Sequence, residues 1–114
     1  MLVVSLRIFF LIVLLSMLAV NGWAVTHESL LQIPARVTGD PWFIATLFDA
    51  YFGFLTFYMW VLSVTHSIWR RGVWLIAILL AGNIAMASFM LIRLFKLPTT
   101  AGWRDIWCDV GIKL

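Results

Sequence analysis

Three long apolar runs alternate with short polar breaks along this chain. The runs cover about residues 2–25, 42–64 and 73–95. A hydrocarbon core about 30 Å thick takes about 20 apolar residues in helical form, and each run reaches that length. An open strand would leave backbone groups unpaired in lipid, so each run predicts a helix. The fold class expected is all-α: an integral membrane protein with three transmembrane helices over residues 1–98 and a tail, 99–114, holding a short interfacial C-terminal helix. In the tail, Trp103, Ile106, Trp107 and Val110 fall at i, i+3, i+4 and i+7, while Arg104, Asp105 and Asp109 fall mostly elsewhere. That pattern suits a short helix lying in the interface plane.

The breaks read as loops. Thr26 to Pro41 holds His27, Glu28, Pro34, Arg36, Gly39 and Asp40, an irregular polar excursion punctuated by proline and glycine. Thr65 to Gly72 is a tight turn between antiparallel neighbours, with Arg70 and Arg71 at its end. Tryptophans mark the boundaries: Trp23 and Trp42 flank the first loop, Trp60, Trp69 and Trp74 the second, and Trp103 and Trp107 the tail. Rings that keep one wet edge settle at headgroup depth, so these residues are expected to be interface anchors. At the N-terminus, Arg7 and the small residues Ala19, Gly22 and Ala24 imitate a secretory leader. The apolar run continues through Trp23 and Val25, longer and bulkier than a cleaved segment, and is read as a span.

Composition narrows the class further. The chain is 64% hydrophobic and 11% charged, against about 25% charged in an ordinary soluble domain. A water-facing surface cannot be built from this set. The net charge of +3 is carried by scattered basic residues, whereas phosphate binding needs clustered Lys and Arg, so nucleic acid is not expected as a partner. Cys108 is alone, which excludes an internal disulfide and a cysteine-based zinc site. Basic residues divide over a three-span topology as Arg7, Arg70 and Arg71 on one side and Arg36, Arg93, Lys96, Arg104 and Lys113 on the other. The total favours the second side as cytoplasmic; the early charges, which usually dominate, favour the first. The orientation expected is N-terminus inside and C-terminus outside, in a bacterial inner membrane.

One charge stands inside a run. Asp49 is the sole ionisable acid between Trp42 and Val64, and an ionised Asp at the centre of a span costs roughly 2.5–3.5 kcal/mol. Asp49, Gly53, Thr56, Trp60 and Ser63 share one helical face, and Ala77, Ala81, Ala85 and Ser88 form a small-residue stripe with Gly82 and Asn83 beside it. Small residues let membrane helices approach closely, so Gly53, Ala77, Ala81, Gly82, Ala85 and Ser88 are expected at a packing seam between the second and third helices. Counting depth at 1.5 Å per residue places Arg93 and Asn83 each roughly 7–8 Å from Asp49 along the axis. Arg93 is the first-choice partner of Asp49 and Asn83 the second, giving an intramembrane polar seam of Asp49, Thr56, Asn83 and Arg93. That seam either fixes helix register, forms a proton- or cation-linked site, or meets another subunit.

No catalytic constellation emerges. The sequence has no Gly-rich phosphate loop, no His-Glu metal motif and no nucleophile–base pair. His27 and His66 sit at span ends on opposite faces and cannot share one metal; a solvated interfacial imidazole is expected for each, although either could ligate haem iron or chlorophyll magnesium.

The run PWFIATLFDAYFGFLTFYMWV, Pro41 to Val61, resembles the second span of an uncharacterised family of small three-span membrane proteins from bacteria and plants, on Pro41, Trp42, Ala45, Thr46, Leu47, Asp49, Tyr51 and Trp60. The third run, LLAGNIAMASFMLIRL, is also similar. Where family members continue with Tyr-Lys-Glu, this chain has Val64, Thr65 and His66. The resemblance implies a three-span architecture and no chemistry.

The function expected is that of a small accessory or structural subunit of a larger membrane complex, photosynthetic or respiratory assemblies being natural hosts, acting by helix packing. The alternative is an oligomeric proton- or cation-linked carrier or channel using Asp49. No catalysis, metal or resident cofactor is expected; lipid and other integral membrane subunits are the expected partners, with a lipid, quinone or pigment at a subunit interface compatible with both.

Overall fold

The computed structural model describes residues 2–28 and 32–109. Every regular element in that range is helical: α1 (Leu2–His27), α2 (Ala35–Thr38), α3 (Pro41–Val64), α4 (Ile68–Ala81), α5 (Asn83–Lys96) and α6 (Trp103–Trp107). Two of them, α1 and α3, are long and apolar enough to cross a membrane, judged by length and composition.

α1 is apolar all round and, of its 26 residues, buries only Val3 fully. A helix of that kind is suited to an apolar solvent or to partners outside the chain. α3 begins at a strong local signal. The Asp40 carboxylate accepts from the backbone N–H groups of Trp42 and Phe43 at 2.9 and 3.2 Å, and Pro41 occupies the first turn, where its missing N–H costs nothing. The short helix α2 sits inside the first loop, which the sequence reads as irregular.

The third apolar run differs from expectation. Instead of one helix over 73–95, it forms α4 and α5, each of 14 residues, broken at Gly82. Gly82 has φ +55° and ψ −121°, a backbone conformation that side-chain-bearing residues avoid. Space imposes the same residue: a Cβ on Gly82 would lie 2.7 Å from Cζ of Phe54 on α3. The polar groups of Gly82 itself are satisfied, since its N–H donates to Ile78 O at 2.8 Å and its carbonyl accepts from the Met86 N–H at 3.0 Å.

Beyond Gly82 the chain turns back on itself. The rings of Trp74, eight positions before the break, and Phe89, seven after it, have centroids 5.0 Å apart. In a straight helix those positions would be separated by about 22 Å. Phe89 is fully buried and also receives the edges or faces of Phe57 and Trp60 at 5.9 and 5.5 Å, so α3, α4 and α5 share one aromatic centre. Around it lie Val61 and Val64 of α3, Ile78 of α4, Met90 and Leu94 of α5, Val3 of α1 and Ile106 of α6.

A glycine required by both dihedral and space makes a specific expectation. Gly82→Ala lowers stability by about 1–3 kcal/mol through backbone strain alone, with the Phe54 clash added. Thermal unfolding in mild detergent checks this: Gly82→Ala lowers Tm, and adding Phe54→Ala recovers only the steric share.

Candidate functional site

The expected polar seam is not assembled. Asp49 is exposed on α3, where the exposed rings of Phe48 and Phe52 meet each other at 5.8 Å, and among the described residues it takes no hydrogen bond or ion pair. Thr56 turns its hydroxyl back to Phe52 O at 2.8 Å, as Thr46 does to Trp42 O. Both are satisfied within their own helix and offer nothing across an interface. Asn83 is exposed at the first position of α5. Gly53 is exposed with open space where a Cβ would stand. The small-residue stripe is divided by the break: Ala85 is buried on α5 and Ser88 half-buried with its hydroxyl on Ile84 O, whereas Ala77 is half-buried and Ala81 exposed on α4.

Arg93, the expected partner of Asp49, is wholly buried elsewhere. Its Nε donates to Ile106 O at 2.6 Å, and its Nη2 donates to Asp105 O at 3.3 Å and to Cys108 O. Those carbonyls belong to the last turn of α6 and the residue after it, which have no intrahelical donor. The guanidinium also sits 5.6 Å from the ring centroid of Trp60, whose indole N–H donates to Trp107 O at 2.7 Å. Helix-end carbonyls and a π face thus serve the cation in place of a carboxylate. The reason is topological: folding back at Gly82 carries Arg93 to the C-terminal end of α3, while Asp49 lies in the opposite half of that helix.

The same device recurs twice. Arg7 of α1 donates through Nε and Nη2 to Leu94 O, at 3.2 and 2.8 Å, and through Nη2 to Leu97 O at 3.0 Å, closing the end of α5. Its guanidinium lies 4.7 Å from the Phe95 ring. Arg71 of α4 donates to Thr65 O at 2.7 Å and Leu62 O at 3.0 Å, closing the end of α3, and its own carbonyl accepts from the Tyr58 hydroxyl at 2.9 Å. From the sequence, Arg71 was expected as a loop charge and Arg7 as a flanking charge of the first span, and neither as a helix cap.

The tail is therefore docked on the helices. Ile106 is fully buried, Trp103 stacks on Trp107, and Asp109 meets the His66 imidazole at 2.5 Å. Val110 and Lys113, to which the sequence gives tail and orientation roles, lie outside the described residues. Of the tryptophans expected as anchors, Trp23, Trp42, Trp69, Trp103 and Trp107 are exposed, whereas Trp60 and Trp74 turn inward onto Phe89.

A second feature is an apolar groove of about 240 Å³ between α1, α3 and α5, lined by Phe10, Val13, Phe57, Met86, Met90 and Trp107 among others. Flexible methionines and ring faces suit a hydrocarbon or isoprenoid chain. His27 lies at the far end of α1, its Nδ1 within 2.8 Å of Trp23 O and its ring beside that of Trp23. Among the described residues, no three His, Cys, Asp or Glu side chains converge. No family model, no curated protein and no solved structure matches this chain.

The buried guanidinium yields a sharp expectation. Arg93→Met removes hydrogen bonds worth about 1.5–3 kcal/mol each and frees the tail. Limited proteolysis should then cut between residues 98 and 109, where the parent resists. Arg93→Lys, with a point charge in place of a planar fork, restores only part of that resistance.

Proposed function

We propose that this chain is an integral membrane subunit that carries out no catalysis and works by association with other membrane proteins. The observation that carries this reading is Asp49, exposed in the first half of a helix whose outer face includes Ile44, Leu47, Phe48, Phe52, Leu55 and Met59. In lipid such a carboxyl is costly, and no group in the described chain relieves it. A partner protein, or a second copy, would supply the missing donor, with van der Waals packing of the surrounding rings adding to the contact. α1 offers a further unoccupied face through Ile8, Phe9, Ile12, Leu15 and Leu18. The groove beside Met86 and Met90 would then hold a lipid tail or a quinone-like chain at the subunit boundary.

The second reading, a homo-oligomeric carrier or channel in which Asp49 of several copies lines a polar path, draws on the same exposed carboxyl. Mild-detergent extraction followed by native mass measurement separates the two. Co-migration with a larger complex is expected, and a homo-oligomer supports the second reading. Asp49→Leu should weaken the association about 5–30-fold, equivalent to ~1–2 kcal/mol, with Asp49→Asn retaining part of it. A chain that is monomeric in every mild detergent, with Asp49→Leu indistinguishable from the parent, would sink both.

A further inference from the structure

The break at Gly82 decides how often the chain crosses. Interactions around α5 gather five chain segments at one end of the molecule. Arg7, near the start of α1, holds Leu94 O at the end of α5. Arg93 lies over Trp60, one turn from the end of α3, and Trp60 binds Trp107 O of α6. Arg71, in the first turn of α4, holds Leu62 O, and His66 pairs with Asp109. The end of α5 and the tail are therefore on the same side as the α3–α4 turn. A through-going third helix would put them on opposite sides.

Length and depth agree. Each arm has 14 residues, about 21 Å of helix, short of the roughly 30 Å hydrocarbon core. The apex touches Phe54, ten residues before the end of α3, which sets it about 15 Å from that end and near the bilayer centre. Non-helical backbone at such depth survives only when buried in protein with its polar groups met. Gly82 is buried, and both its N–H and its carbonyl are paired.

Charge then selects the leaflet. Arg7, Arg70, Arg71, Arg93, Lys96 and Arg104 all belong to the gathered end, with Asp105 and Asp109 as the acids there. The opposite end has Arg36 with Glu28 and Asp40. The conflict between early and total charges in a three-span topology eases, because Arg93, Lys96 and Arg104 join Arg7, Arg70 and Arg71 on one side and, among the described basic residues, only Arg36 stays opposite.

We propose that α4 and α5 form a re-entrant hairpin that dips to mid-membrane and returns to the leaflet it left, with α1 and α3 as the crossings, and that this leaflet is the anionic cytoplasmic one. The inference rests on the membrane reading above. It replaces the expected outward C-terminus with an inward one. Exposed Arg70 and Arg104 meet lipid phosphates and acidic headgroups, as basic residues beside a cytoplasmic leaflet do.

The sole cysteine of the sequence supplies the test. Cys108 is exposed, so the full chain in spheroplasts is treated with a membrane-impermeant maleimide, with and without permeabilisation. Cys108→Ser/His66→Cys and Cys108→Ser/Thr38→Cys report the α3–α4 turn and the opposite end, and Cys108→Ser/Thr99→Cys repeats the tail reading at a second exposed position. Expected is labelling of Cys108, His66→Cys and Thr99→Cys only after permeabilisation, and of Thr38→Cys in intact spheroplasts. Tail and turn labelled from opposite sides would overturn the hairpin; both labelled from outside would overturn the leaflet assignment. Alkaline carbonate washing keeps the two readings apart, since release of the chain would sink the membrane reading itself. Opposite-side labelling of a wash-resistant chain sinks only the hairpin.

Discussion

Helix ends impose the governing constraint on this molecule. The last turn of any α-helix leaves carbonyl oxygens without an internal donor, and an apolar chain with little access to water must find donors elsewhere. Three arginines from other elements meet that need. Arg71 closes α3, Arg7 closes α5 and Arg93 closes α6. Each guanidinium has several donors in a fixed fork and stays charged, so one side chain can satisfy two or three carbonyls while being stabilised by the negative end of the helix dipole. Because every cap comes from a different segment, the caps also tie α1 to α5, α4 to α3, and α5 to the tail.

The fold-back at Gly82 and the arginine caps depend on each other. Without the reversal, Arg93 would lie far from α6 and Trp60, and Arg7 far from Leu94. Without the caps, the end of α5 would bring bare carbonyls into an apolar contact region. Phe89 completes the arrangement by placing one ring against Phe57, Trp60 and Trp74, where edge-to-face contacts add to simple burial. Phe54 covers the glycine and leaves no space for a side chain.

This arrangement also explains why Asp49 and Arg93 do not meet. Pairing them would bury two charges against each other and leave the α6 carbonyls without donors. Instead the cation takes neutral acceptors in the interior, and the acid remains on the outer face of α3. That outward carboxyl on an apolar helix is the basis of the proposal that the chain is one component of an assembly.

Much of the architecture was legible in the residues. Helical class, the extents of α1 and α3 to within two residues and the short tail helix all follow from local chemistry: apolar run length and 3.6-residue spacing. The sequence even contains Gly82 in plain view, as one small residue among several in a stripe. What it could not show is that this glycine adopts a positive φ beneath Phe54, because that need arises from a neighbour 28 positions away. The partners of Arg7, Arg71 and Arg93 were hidden for the same reason, since carbonyl acceptors carry no residue identity and any sequence offers one at every position. Local pattern determined the helical class and how far α1 and α3 run. Only the tertiary structure decided that the last long run bends back, which carbonyls the arginines close, and that Asp49 faces outward, because those outcomes depend on contacts between segments distant along the chain.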